Sequence, residues 1–312
     1  MSGAAPRVSV GMPVYNGARY VEQALNSLLA QDFTDFELVI SDNGSTDRTE
    51  EICRRYGSRD ARITYHRHGE NRGAAWNYNF VFHRSRGEYF KWAADDDNCA
   101  PAFLSRCVAT LDKAPPSVVA CYARAMISDE AGRMTRKLDH YPQLQFETPE
   151  ERLFALVTHV GLLTPVFGLI RSSALQRTRL IGAYISSDRV LLAELALMGR
   201  FVQIPDYLLA QRVHADMSTQ ANRSDAELAA WFDPSKTRWW NWQPRVNSVY
   251  RLGPRLCKEH LVAIARSDLS GYEKRRCGLA FLKAWRARKL ICKALLAEVE
   301  EARPGRPSGT RS

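Results

Sequence analysis

The sequence predicts an α/β protein, with a mostly parallel central sheet, flanking helices and a basic helical extension at its C-terminal end. Three observations carry this. Short β-rich runs alternate with helical patterns through the first half, the signature of crossover units. The alternation loosens past the middle of the chain. Charge is also unevenly divided: from Lys236 onward there are 18 Lys/Arg against 6 Asp/Glu, whereas residues 1–235 hold 26 against 28. With 312 residues, 45% hydrophobic and 25% charged, the chain can bury one sizeable core or two smaller ones, and disorder is expected only at its ends.

Taken in order, Val8–Val14 and residues 36–41 read as the first two strands. Between them Val21, Ala24, Leu25, Leu28 and Leu29 recur at i, i+3, i+4, i+7 and i+8, so a helix there lays one apolar stripe on the sheet. The turn Asp42-Asn43-Gly44-Ser45-Thr46-Asp47 is dense in turn and capping residues. Asp47 and Glu50 are spaced as a capping box for a helix through residue 56. A strand at 62–66, a helix at 73–84 and a strand at 88–93 lead to Asp95-Asp96-Asp97, and Pro101 opens a helix over 102–111. A strand at 118–127, a helix at 149–159, a short strand at 166–170, an apolar helix at 188–198 and strands at 200–204 and 207–213 follow.

Trp231, Trp239, Trp240 and Trp242 mark the change to the basic region. Gly271–Glu301 reads as one long helix, with Phe281, Trp285, Cys292, Leu295 and Val299 on one side and Arg275, Arg276, Lys283, Arg286, Lys289 and Lys293 largely elsewhere. Such a helix suits a membrane surface or a protein partner, or packs back on its own domain. The expected organisation is a main domain over 1–220, a Trp-containing basic helical extension over 221–302 and a disordered tail over 303–312.

The start of the chain has no signal-peptide pattern, and no apolar run reaches the about eighteen residues of a membrane span. The expected location is the cytoplasm, with membrane association through the basic helix. Seven cysteines without a C-x-x-C pair read as packed thiols in a reducing compartment. Residues 11–17 lack the Gly-rich, Lys/Arg-bearing loop with which a sugar-nucleotide nucleotidyltransferase grips a triphosphate, and G-x-G-x-x-G for a nicotinamide cofactor is absent. A non-enzymatic nucleic-acid-binding reading would rest on the basic region and its tryptophans. No recognition motif accompanies them, so no nucleic-acid partner is expected.

The strongest chemical feature is Trp92-Ala93-Ala94-Asp95-Asp96-Asp97. Three carboxylates at the end of an apolar strand repel one another and call for a compensating cation. Mg2+ or Mn2+ fits, because hard ions take one or two protein carboxylates and complete their shell with phosphate and water. The strand end is also where open α/β sheets bind ligands.

Taken together, Pro13-Val14-Tyr15-Asn16, Asp42-Asn43-Gly44-Ser45-Thr46-Asp47, Asn71-Arg72-Gly73 with Asn77, and Asp95-Asp96-Asp97 with Pro101 resemble the motifs of family 2 glycosyltransferases, in order and spacing, over about residues 7–215. The resemblance implies a GT-A fold and a metal-dependent, inverting hexosyltransferase. Its donor would be a nucleotide-sugar, often a UDP-sugar, while the basic C-terminal region suggests a carbohydrate or lipid-linked, or otherwise anionic, acceptor near a membrane, in cell-envelope polysaccharide or glycolipid synthesis. Carried over by position, Pro13, Tyr15 and Asn16 line the nucleotide pocket, Asp42 meets the base, and Arg72 and Asn77 border base and ribose. Asp96 and Asp97 hold the metal and the ribose, with Asp95 beside them. Ala94 stands where many members carry the first acid of this motif.

Ser186-Ser187-Asp188, before an apolar helix, resembles the family segment that supplies the catalytic base. The usual Glu-Asp pair reads Ser187-Asp188 here, which leaves Asp188 as the base, as a helix N-cap, or as both. Residues 212–218 resemble the segment that closes over the diphosphate. There His214 joins the metal shell or donates to a phosphate, and Arg212 offsets the charge of the leaving group.

Overall fold

Every residue of β1 (Val8–Val14) and β2 (Phe36–Asp42) is buried, as parallel strands are when helices cover both faces. In the computed structural model, which describes residues 5–142, 144–215, 217, 225–236 and 253–301, these strands pair in parallel. β3 (Ile63–Arg67) adds to β2 and β4 (Tyr89–Trp92) to β1 in the same sense. The turns leaving β1, β2 and β4 therefore gather at one edge of the sheet. Beyond β4 the sheet is mixed. β8 (Leu169–Arg171) runs antiparallel to β4 and to β6 (Val118–Ser128), and β9 (Arg200–Arg212) runs parallel to β6. Short antiparallel strands β5 (Asn98–Cys99) and β7 (Met134–Lys137) attach to β9 and β6, giving the order β3-β2-β1-β4-β8-β6-β9-β5.

Two cores flank the sheet. On one face α1 (Val21–Leu29), α2 (Thr49–Gly57) and α4 (Phe103–Lys113) bury Leu25, Ile52 and Leu104 against Val10 and Met12. The stripe predicted for α1 is realised, with Val21, Ala24, Leu25 and Leu28 buried. On the other face lie α3 (Ala74–Arg84), α5 (Pro149–Thr158), α7 (Ser187–Met198), α9 (Pro254–Arg266) and α10 (Gly271–Glu301). Phe90 and Trp92 meet Leu153, Leu191, Ile264 and Phe281 there. The short α6 (Ser172–Leu175) follows β8, and α8 (Asp225–Phe232) packs near α3.

The basic helix α10 thus packs back on its own domain. Its buried stripe is Cys277, Phe281, Ala284, Arg288 and Cys292. Trp285 is only half-buried, and the Leu295 and Val299 side chains lie outside those described, as do Trp239, Trp240, Trp242 and residues 303–312. Arg288 is inside for a reason. It donates through Nη1 to the carbonyls of Val157 and His159, while Arg189 of α7 donates to those of His159 (3.2 Å) and Gly161 (2.9 Å). The carbonyls at the end of α5, which a helix leaves unpaired at its negative pole, are taken by two guanidinium groups. Both α7 and α10 are thereby fixed to α5.

His260 of α9 stacks on Phe281 at 5.3 Å and is 1% exposed, and burial depresses its pKa to about 4. A folded value below the unfolded ~6.5 stabilises the fold above that pH, and the stabilisation is lost as pH falls toward 4. The shift corresponds to about 3 kcal/mol. Denaturant titrations from pH 7 to 4 are expected to show a shallower acid loss of stability for His260→Phe than for the native chain.

Several boundaries differ from expectation. Residues 166–170 divide into a 3-10 turn, Thr164–Phe167, and β8, because Pro165 suits a first helical turn. The strands expected at 200–204 and 207–213 are one, β9, whose register against β6 shifts around Pro205 and Asp206. A bulge accommodates the missing N–H of proline. The capping box is not closed: Asp47 accepts from Thr49 and from Ala18 N (3.0 Å), while Glu50 turns to Arg54 and Arg67.

Candidate active site

The edge formed by β1, β2 and β4 collects the predicted residues other than Asp188, which lies on α7. Pro13 is buried within β1, whereas Tyr15 (43% exposed) and Asn16 project from the turn after it. Asn16 has φ 54°. Its N–H reaches Ser45 Oγ (2.9 Å) and its Oδ1 accepts from Thr46 N (2.8 Å), so the turns after β1 and β2 hold each other. Gly44 supplies the left-handed φ of 79° that this turn requires.

Asp42 lies beneath that turn and is fully buried. Oδ1 accepts from Ser45 N (2.8 Å) and Oδ2 from Tyr65 Oη (2.7 Å), with Arg67 4.0 Å away. Its carboxylate is thus engaged with the protein. Asn77 is likewise 2% exposed, accepting from Ser41 Oγ (2.5 Å) and donating to the carbonyls of Ser41 (2.9 Å) and Val14 (3.3 Å). Arg72 is exposed, its guanidinium 4.1 Å above the Trp76 ring. Asn43, which the sequence reading passed over, ties these parts together. It bonds Asn71 Oδ1 (2.9 Å), Gly73 O (3.2 Å) and Arg72 N (3.0 Å).

The acidic run follows β4, whose Trp92 is buried and donates Nε1–H to Tyr78 O (2.9 Å). Asp95, Asp96 and Asp97 are half-buried. Burial, then the charge of Asp96, raises Asp95 well above the usual carboxylate range and pushes Asp97 up to about 7. The Arg212 amide, Lys91 and Gln211 partly offset the effect on Asp97. Lys91 was not anticipated in an apolar strand. It is 1% exposed, donates to Phe167 O (2.7 Å) and Trp92 O (3.1 Å), and brings a cation behind the run.

Gly17 is a second unanticipated element. A Cβ there would fall 2.0 Å from Asp95 Oδ2 and 2.8 Å from Val14 Cγ2, so the carboxylate occupies the space that glycine leaves. Gly17→Ala is expected to displace Asp95 and lower turnover about tenfold or more, as misplacement of a site group by about 1 Å does. Steady-state rates with fold stability measured in parallel check this.

β9 brings the last pieces. Arg212 N donates to Asp97 Oδ1 (2.9 Å) and His214 Nε2 hydrogen-bonds Asp96 Oδ2 (2.9 Å). The Arg212 side chain, 2% exposed, points inward to Asp96 O, Glu130 O and Gln23 Oε1 and stacks on Tyr20. It braces the run rather than facing the cleft. The His214 nitrogen nearest the run is engaged by Asp96, and its ring packs 4.6 Å from Tyr20.

Asp188 sits in the first turn of α7, where the helix dipole favours an anion. The position before the helix is Ser186, at φ 61°, so Asp188 is not the N-cap residue. Burial raises its pKa, with Arg189 opposing. The Tyr78 hydroxyl is pushed up by burial first and then by the charges of Asp96, Asp95, Asp97 and Asp188.

Among the described residues no cluster of three or more His, Cys, Asp and Glu side chains forms a metal cage. The crowded acidic run does fit a hard divalent ion, because such an ion needs only one or two carboxylates when phosphate oxygens and water complete its shell.

The family model described as Glycosyl transferase family 2 matches residues 9–179, more than half of the chain, and the chain belongs to that family. An uncharacterized glycosyltransferase of Rickettsia typhi is 30% identical over 171 residues, 55% of this chain and 50% of its own length. The putative teichuronic acid biosynthesis glycosyltransferase TuaG of Bacillus subtilis is 28% identical over 214 residues, 61% of this chain and 85% of its own. The chain spans half or less of the length of several rickettsial relatives it matches. S. aureus TarS 1-349 in complex with UDP has a TM-score of 0.61 at 18% identity, over 88% of this chain and 70% of that one. The mannosyltransferase PcManGT from Pyrobaculum calidifontis, in complex with GDP-Man and Mn2+, has 0.53 at 21%, over 95% and 80%. These likenesses bear out the GT-A fold. Among the described residues no helix is long and apolar enough to cross a membrane.

Proposed function

We propose that the chain transfers a sugar with inversion from a nucleoside-diphosphate donor to an acceptor hydroxyl, using Mg2+ or Mn2+, in the assembly of a cell-envelope polysaccharide or glycolipid. The observation that carries this is the crowding of Asp95, Asp96 and Asp97 at the edge where β1, β2 and β4 release their turns, with Asp95 against Gly17, Asp96 bonded by His214 and Asp97 by the Arg212 amide. Structural neighbours support it: TarS binds UDP and UDP-GlcNAc, and PcManGT binds GDP-Man with Mn2+.

Tyr15, Asn16 and Arg72 form the open rim that receives base and ribose, on a floor shaped by Pro13, Asp42, Asn43 and Asn77. Asp97 and Asp96 hold the divalent ion, with His214 steadying Asp96 and Asp95 lying beside the sugar-diphosphate. When bound, the ion supplies positive charge against the charge developing on the leaving diphosphate. Asp188 accepts the proton of the acceptor hydroxyl as its oxygen attacks the anomeric carbon. The diphosphate departs from the opposite face, and a single in-line displacement inverts the centre. A carboxylate with a raised pKa is better matched to proton transfer near neutral pH than an ordinary one.

Thermal unfolding with UDP and Mn2+, and separately with GDP and Mn2+, tests the reading. One nucleotide should stabilise the chain by about 2.7 kcal/mol at a hundredfold excess over Kd, and EDTA should abolish the effect. Stabilisation by single-stranded DNA and by neither nucleotide would sink the proposal.

A further inference from the structure

The face of α10 opposite its buried stripe has no partner among the described residues. Tyr272 (68% exposed), Leu279 (56%), Leu282 (49%) and Leu290 (70%) point outward. At 100° per residue they share that side of the helix with Arg275, Lys283, Arg286, Lys289 and Lys293. Arg276 lies at its margin, paired with Glu150. From Lys274 to Ala297 the helix carries no Asp or Glu. The outward face is therefore cationic and apolar at once over about 30 Å of helix. A groove of about 770 Å3 between α5 and α10, lined by Phe146, Phe154, Leu279 and Ile291 with Glu150, Arg276 and Lys283 among its polar residues and Glu151 on its α5 side, borders this face.

We infer that this face of α10 docks the protein on the surface of an anionic lipid bilayer. The chemistry of the face selects this occupant. A helix lying in the interface sinks large apolar side chains to the acyl boundary, while lysine and arginine stems bend their charges back to the phosphates. Leucine and cation alternating along one side satisfy both layers. The core of a protein interface is depleted of charge. A nucleic-acid strand would be gripped by cations and aromatic rings, and Leu279, Leu282 and Leu290 offer it nothing. The inference does not depend on the donor or on the role of any aspartate.

Co-sedimentation with vesicles of phosphatidylcholine, and of phosphatidylcholine containing phosphatidylglycerol, tests it. Binding is expected on the anionic vesicles, at least about tenfold tighter than on the neutral ones, and weaker in high salt. Lys289→Gln with Lys293→Gln should weaken it about fivefold per charge. Leu279→Ser with Leu290→Ser should weaken it by about tenfold or more. All four positions are exposed, and circular dichroism with nucleotide-binding titrations identifies any variant that has lost its fold. The inference is overturned by equal binding to both vesicle types or by none. It is also overturned if the leucine double variant binds as the native chain does and single-stranded DNA displaces both, since the face would then be a general polyanion site.

Discussion

Asp188→Asn is expected to lower glycosyl transfer about 10²- to 10⁴-fold, the range that a positioned general base contributes, while leaving donor affinity within about twofold. The substitution keeps size and shape and removes only the capacity to take a proton. Asp188 stands on the first turn of α7, and Arg189, the next residue, clamps the end of α5, so the backbone around the change is held. Stability should not suffer, since burial disfavours the charged form and asparagine carries no charge. In the native chain, transfer should rise with pH as Asp188 loses its proton, with an inflection above the ordinary carboxylate value of ~3.9. The variant should lack that inflection. Rates and donor titrations over a pH series separate these outcomes.

Asp97→Asn should be comparably severe for a different reason. If Asp97 holds the divalent ion, its loss removes several kcal/mol of charge stabilisation, on the order of a 10³-fold fall in kcat/KM, and metal should no longer strengthen nucleotide binding. The Arg212 N–H can still bond an asparagine Oδ1 where it now meets Asp97. Without metal the native site crowds Asp97 against Asp96 in partial burial. The neutral variant should therefore be at least as stable as the native chain near pH 8. Activity lost while stability is kept or gained is the pattern of a group placed for function rather than for folding. Thermal unfolding and metal titrations of the two proteins check it.

These expectations show which parts of the site could be read from sequence. β1 and β2, the apolar stripe of α1 and the acidic run at a strand end were legible because burial imposes period 2 or 3.6 and because turn residues punctuate the chain. The motif residues did gather at one edge, yet their engagements were invisible. Nothing local announces that Ser45 and Tyr65 occupy the Asp42 carboxylate, or that Asn77 bonds Ser41 and Val14. The same holds for Arg212, expected over the diphosphate and found bracing Asp96, Glu130 and Gln23. Such contacts join segments tens of residues apart.

Gly17 and Lys91 were missed for related reasons. Glycine after a strand reads as a turn, and only the approach of Asp95 shows that its missing side chain is needed. Lysine in a strand reads as a surface residue until its ammonium is found between Phe167 O and the acidic run. Arg288 is the counterpart in the basic helix: helical spacing predicted an amphipathic face, but not that one cation would turn inward to the end of α5.

The most direct test of a donor site built on Asp95, Asp96 and Asp97 with Asp188 as base is release of nucleoside diphosphate from a panel of UDP- and GDP-sugars, with Mn2+ and with EDTA. The native chain should turn over at least one donor in a metal-dependent way, and Asp188→Asn should bind that donor equally well and release almost nothing. Metal-independent release, no release from any donor, or native-level release by Asp188→Asn would contradict the account.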